Sequence, residues 1–301
     1  METQADPSVE TSSEQAGEPG QAVSRPGADG SPPRVIAMMN QKGGVGKTTT
    51  TVNVGAALSE AGHRVLLIDL DPQAHLSLHV GINPDELERS VYDLLVDDDT
   101  TAAEVVMQVT PTLGVLPAEV NLAGVEAELA ERTAAGESQG VLRDKTMDLV
   151  TQFDYVLLDC PPSLGLLTIN GLTLAREVIV PMQAHFLALQ GLSKLLETIT
   201  MVRERINPQL KLAGIVLCMH EANTLLAGEV AGDLNAFLEE ARGTDQPWAD
   251  AAVFQPAVRR NIKLAESPSF GQSIFSYAPE SNGAKDYVAL AKAIAAHRVH
   301  G

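Results

Sequence analysis

The sequence predicts an α/β fold, a mostly parallel sheet with helices on both of its faces. Three observations carry this. Short continuous apolar runs alternate with longer stretches of helical spacing, two of the runs end in carboxylates, and the first leads into a glycine-rich turn that opens a helix. A run that is apolar without alternation is a strand covered on both sides, which is the habit of parallel sheets.

Seven such runs fall at residues 35–39, 65–68, 113–116, 156–158, 178–180, 213–218 and, more weakly, 251–254. Helical spacing of apolar residues is clearest at 187–206 and 284–297. The stretch 97–137 is acidic and less patterned, and no chemistry is assigned to it. The first 33 residues differ in kind: they are rich in Pro, Gly, Ser, Gln and Glu and contain no aromatic residue. Such composition predicts a disordered tail at 1–33, followed by one domain at 34–301. A chain of 301 residues with 45% apolar content can bury one sizeable core, and nothing requires two. The tail has no basic region followed by an apolar run, and no stretch of about 18 apolar residues exists to span a bilayer, so the chain is expected in the cytoplasm with no membrane partner. Cys160 and Cys218 fall in apolar strand-like segments without metal-ligand spacing and are expected to be small buried side chains.

The turn after the first run reads Gln41-Lys42-Gly43-Gly44-Val45-Gly46-Lys47-Thr48-Thr49. Glycines let backbone N–H groups turn inward without Cβ interference, and the following helix N-terminus adds partial positive charge, so polyphosphate is held by main-chain donors. Lys47 then neutralises the β and γ phosphates, and the Thr48 hydroxyl ligates Mg²⁺. The run at 65–68 continues into Asp69-Leu70-Asp71-Pro72-Gln73, whose two carboxylates, one residue apart, share a face. The run at 156–158 ends in Asp159, ahead of Cys160-Pro161-Pro162. Magnesium-assisted phosphoryl transfer needs carboxylates that support the metal and one that positions the attacking water. Ligands in sheets of this class sit at the carboxyl ends of the strands, where all three motifs lie, and together they predict a P-loop NTPase.

The loop does not satisfy G-x-x-x-x-G-K-S/T, because Gln41 stands at its first glycine and a second lysine, Lys42, stands beside it. The segment from Lys42 to Thr48 resembles instead the deviant Walker A box of the ParA/MinD group of ATPases. Resemblance to ParA extends over roughly residues 34–298. Pro181-Met182-Gln183 with Ala188-Leu189-Gln190-Gly191-Leu192 resembles the family's P-x-Q…A-L-x-G-L stretch. Arg260-Asn261-Ile262-Lys263-Leu264-Ala265-Glu266-Ser267-Pro268-Ser269 is similar to its R-N-V-R-L-S-E-A-P-S segment, and Gly283-Ala284-Lys285-Asp286-Tyr287 to its G-A-x-x-Y. The resemblance implies a slow ATPase that forms a homodimer around two Mg-ATP and acts in chromosome or plasmid segregation. It also implies a ParB-like or other activating partner, and an ATP-bound dimer that holds non-specific DNA. By the same resemblance Lys42 reaches across the dimer to the partner's nucleotide, Asp71 polarises the hydrolytic water, Asp69 and Asp159 steady the magnesium, and Asn261 faces the adenine. Arg259 stands where the family has a proline, two residues before that asparagine. Residues 293–301 are short, alanine-rich and only weakly amphipathic, unlike the basic amphipathic terminal helix of MinD-like proteins.

Charge opposes one of these expectations. The chain is formally −18, and its first 33 residues, with six acids against one base, leave −13 on the remainder, whereas phosphate binding is driven by positive charge. Of two family arginines implicated in DNA contact, one falls at Asn223 and loses its charge, while the other falls at Lys263 and keeps it. Arg259, Arg260 and Lys263 place three bases within five residues, a local patch able to compensate, or a solvated helix face. Two further readings compete with DNA segregation: an orphan ParA-like ATPase that positions a protein cargo, and a regulatory nucleotide switch that binds no DNA.

Overall fold

A computed structural model of the chain describes residues 32–129, 138–185, 188–221 and 224–299. The expected tail at 1–33 and Asn223 therefore lie almost wholly and wholly, respectively, outside the described residues. Eight strands form one sheet: β1 Arg34–Met38, β2 Val65–Asp69, β3 Met107–Thr110, β4 Leu113–Leu116, β5 Tyr155–Asp159, β6 Glu177–Gln183, β7 Lys211–Cys218 and β8 Ala252–Phe254. Their order is β3-β4-β2-β5-β1-β6-β7-β8, and every neighbouring pair is parallel except β3 with β4. The helices are α1 Lys47–Glu60, α2 His75–His79, α3 Val91–Val96, α4 Ala102–Val105, α5 Val125–Glu128 and α6 Val141–Val150. They continue with α7 Leu166–Leu174, α8 Ala188–Arg205, α9 Leu225–Glu240, α10 Ile262–Glu266, α11 Ile274–Tyr277 and α12 Asn282–Ala296.

The central strands are buried along their whole length, which is why their sequences show no alternation. Alternation returns in space. Val35 and Ala37 of β1, Leu66 and Ile68 of β2, and Val156 and Leu158 of β5 join one apolar cluster, with Leu172 of α7 and Leu195 of α8. Ile36 and Met38, Val65 and Leu67, and Tyr155 and Leu157 join the other, with Val52 of α1 and Leu290 of α12. The period of two thus divides each strand between two cores, and helices close both faces.

All seven expected runs are strands, and 113–116 has the expected bounds. The strand that sequence reasoning passes over is β3. Its four residues are exposed, its pairing with β4 is antiparallel, and the register shifts between Gln108 and Thr110. An edge strand that buries nothing leaves no apolar run to find. Both expected long helices form, as α8 and α12, the latter starting two residues early because the Ser281 hydroxyl accepts from the Ala284 N–H and caps it.

One feature of the order places the site. The chain runs from β1 to β2 but leaves room between them for β5, and β6 then pairs with the opposite edge of β1. The strand order reverses at β1, and the carboxyl ends of β1, β2, β5 and β6 surround the point of reversal.

Candidate functional site

The loop between β1 and α1 is shaped by backbone that only glycine adopts without strain. Gly44 and Gly46 have φ of +72° and +94°, and a Cβ at Gly43 or Gly44 meets no atom within 4 Å, so this face of the loop is open. Gly46 is the N-cap of α1 with no side-chain cap, and no acid stands in the first turn. The first N–H groups of a 14-residue helix thus face an opening with no built-in acceptor, which is the arrangement that takes an anion. Gly43, Gly44, Gly46, Lys47, Thr48, Thr49 and Asp71 line one cavity of about 840 Å³. Val45 is buried beneath the loop.

Lys47 is only 8% exposed and sits close enough to Asp159 for its charge to lower that carboxyl's pKa. The Thr48 hydroxyl donates to Asp159 Oδ2 at 2.6 Å, and the Thr51 hydroxyl donates to Oδ1 at 3.3 Å. Positions three apart on α1 face the same way, so the threonine run delivers two hydroxyls to one carboxyl. Thr51 is a site residue that sequence reasoning missed, and its signal was this spacing. Asp159 and Asp69 are register partners at the ends of β5 and β2. Burial pushes Asp69 up to about 7, with Asp159 adding to the rise, and burial pushes Asp159 up to about 6 against the hydrogen bond from Thr48 and the charge of Lys47. Hydroxyl and carboxyl oxygens for a cation and main-chain donors for an anion meet in one cleft, and these residues fit a magnesium-nucleotide pair.

Asp69, expected to steady the magnesium together with Asp159, is fully buried and, like Asp159, is not part of the cavity wall. Its Oδ1 accepts from the Asp71 N–H at 3.1 Å, and its Oδ2 accepts from the Ser77 N–H and hydroxyl at 3.0 and 2.8 Å. The carboxyl is turned to the loop it leads into and fixes the position of Asp71. Asp71 is half-buried on the cavity wall, one oxygen accepting from the Gln73 N–H at 3.0 Å. Ser77 carries no sequence signal, since the loop alone decides that it folds back on Asp69. Ala74, in the same loop, has φ +52°, and Met219, on the cavity wall, has φ +49°. Non-glycine residues held there cost energy, and both stand beside the cleft.

Asn261 is the N-cap of α10, its Oδ1 accepting from the Lys263 N–H at 2.9 Å and its Nδ2 lying against Gly283. The cavity wall passes instead through Pro268, Ser269 and Gly271, and does not include Asn261. The three bases near it each have an acidic partner. Arg259 grips the buried Asp286 with Nε and Nη2 at 3.0 and 2.6 Å, Arg260 pairs with Glu221 at 3.2 Å, and Lys263 pairs with Glu266 at 2.9 Å. Lys42 lies outside the cavity wall, its Nζ 3.0 Å from His185 Nε2. Among the described residues no helix is long and apolar enough to cross a membrane.

Comparison with known proteins gives the family. The family described as an AAA domain matches residues 33–212. The sporulation initiation inhibitor protein Soj of Bacillus subtilis is 41% identical over 265 residues, 88% of this chain and 99% of its own length. The chromosome partitioning protein ParA of Caulobacter vibrioides is 40% identical, covering 87% of this chain and 94% of its own. Crystal structures of cobyrinic acid a,c-diamide synthase from Mycobacterium smegmatis, one with bound ADP and magnesium and one with an ATP analog and magnesium, are 37% identical with a TM-score of 0.72. They cover 87% of this chain and 94% of theirs. The lysine pair of the loop, the carboxylates at the ends of β2 and β5 and identity at this level over most of the length lead to one family: the chain belongs to the ParA/Soj family of P-loop ATPases.

Proposed function

We propose that this chain is a magnesium-ATP-dependent ATPase that dimerises around two nucleotides and acts as a switch in DNA segregation. In this reading the ATP dimer holds non-specific DNA, and a partner protein stimulates hydrolysis. The observation that carries it is the convergence of Lys47, Thr48 and Asp71 on one cleft whose helix N-terminus is uncapped, with Asp159 hydrogen-bonded to Thr48. Lys47 and the loop N–H groups hold the phosphates. The Thr48 hydroxyl donates to Asp159, which leaves its lone pairs free for a cation. The magnesium ion, when bound, supplies Lewis acidity toward the outer phosphates. Asp71, with one oxygen fixed by Gln73, orients the attacking water with the other, and Lys42 acts on the nucleotide of a second copy. Asn261 is carried in the proposal as a base contact of the ATP state. The description of the ParA relatives as chromosome partitioning proteins supports the segregation role.

One observation favours a second reading. Each base of the Arg259, Arg260 and Lys263 group is paired with a carboxylate, so the patch presents little net positive charge to a phosphate backbone. That favours a nucleotide switch that positions a protein cargo, or gates a partner, without holding DNA at this place. Gel shift on non-specific duplex with ATP, ADP and no nucleotide separates them. At about 50 mM salt, where non-specific contacts are strong, the first reading expects retardation with ATP alone, weakened and made less salt-dependent by a triple change of the three bases to Ala. No retardation of the wild type under those conditions removes DNA from the proposal and leaves the partner-gated switch.

A further inference from the structure

We propose that His185 is a positioning residue for Lys42, a latch that holds the lysine at home in the single chain and releases it when a second copy binds. The inference rests on the reading of Lys42 as the lysine that crosses to a second copy's nucleotide. Lys42 Nζ and His185 Nε2 are 3.0 Å apart. An ammonium has three donors and no acceptor, so the contact is a hydrogen bond only when the ring is neutral, with Nε2 accepting and the proton on Nδ1. Burial first, and the Lys42 charge second, lower the ring's affinity for a second proton, which keeps it in that form.

The contact is the third of a set. Pro181 O accepts from Asn40 Nδ2 at 2.8 Å, and Gln183 Nε2 donates to Gly44 O at 3.2 Å. Asn40 Oδ1 in turn accepts from the Lys42 N–H at 3.0 Å. Residues 181, 183 and 185, at the alternate positions that end β6 and continue past it, thus hold residues 40, 44 and 42 of the nucleotide loop. The first two contacts fix the backbone of the loop. With the backbone settled, His185 decides only where the lysine head points, and without it a flexible four-carbon stem samples many rotamers at the rim.

In the reading that Lys42 crosses to a second copy, its ammonium leaves His185 to reach that copy's phosphates. The latched state therefore lowers the fraction of chains competent to pair, and apparent affinity falls by that fraction. An exposed charged contact is worth little, but both chains of a dimer give one up, so its loss tightens the dimer by roughly fivefold.

The test measures the protein concentration for half-maximal dimer formation by the full chain with magnesium and a non-hydrolysable ATP analogue, by light scattering. His185→Ala is expected to lower that concentration roughly fivefold. His185→Gln, which keeps an acceptor of similar reach, is expected to restore it, and in a Lys42→Ala background the effect of His185→Ala is expected to vanish. An unchanged concentration for His185→Ala beside a weakened Lys42→Ala overturns the latch alone. So does a His185→Gln that behaves like His185→Ala, because ring packing rather than the accepting nitrogen is then at work. If Lys42→Ala by itself dimerises like the wild type, the crossing role of Lys42 is lost and the latch falls with it.

Discussion

Lys47 is buried in a place that water scarcely reaches, with the Asp159 carboxyl near enough to feel its charge. Replacing it with Ala removes the principal side-chain cation of the phosphate site, and Lys47→Ala is expected to abolish ATP binding measured by calorimetry. Asp71 is placed differently, half-buried and fixed by Gln73 on one side only. Its removal acts mainly on the transition state, so Asp71→Ala should still bind ATP, accumulate the dimer and lose turnover by about 10²-fold in steady-state phosphate release. Near-normal turnover in that variant would assign the water to another group. The positions of Lys47 and Thr48 at the start of α1, and of Asp159 and Asp71 at and just past strand ends, were legible from the motifs that hold them. Asp69 was legible as a carboxyl at a strand end, but not in the hydrogen bonds it accepts. Which way a side chain turns at the end of a strand depends on the loop that follows, and Ser77 is what claims it.

Elements were legible in proportion to what they bury. The central strands declare themselves as apolar runs because both faces are covered, and α8 and α12 declare themselves by spacing, whereas β3 buries nothing and is invisible. Contacts between loops are the least legible of all. Gly81, after α2, and Gly271, after the turn that follows α10, meet backbone to backbone. Both have positive φ, and a Cβ on Gly271 would stand 2.7 Å from the Gly81 Cα. Two glycines 190 residues apart carry no mutual signal in a single sequence, yet they join the segment that follows Asp71 to the one that follows Asn261, both on the cavity wall. Gly271→Ala must move one of these backbones and also bear a left-handed conformation, a cost of about 1–3 kcal/mol. The measurable outcome is a melting temperature lower by roughly 3–10 °C. An unshifted melting curve would show that the two loops part freely.

At the scale of the whole molecule, the distribution of charge and the order of strands matter more than any one contact. A chain at −18 whose exposed bases near α10 are paired with acids presents no ready cationic face there, and composition showed the sum but not the pairing. The strand order has a consequence for how the chain reaches this state. β1 is the first strand made and the central one completed late, because its two neighbours are β5 and β6, while β2, the next strand in sequence, is separated from it by β5. During synthesis the segment from β1 through β4 therefore leaves unpaired edges on two apolar strands that are not neighbours in the fold. Closure waits for residues 155–159, and loops of that length make nucleation slow and leave a sticky intermediate on the ribosome. A fragment ending at residue 150 should show no amide protection in β1 by hydrogen exchange, where the full chain protects it. The same insertion that brings Asp159 beside the phosphate loop thus makes the chain dependent on holding its first half soluble until its middle has emerged.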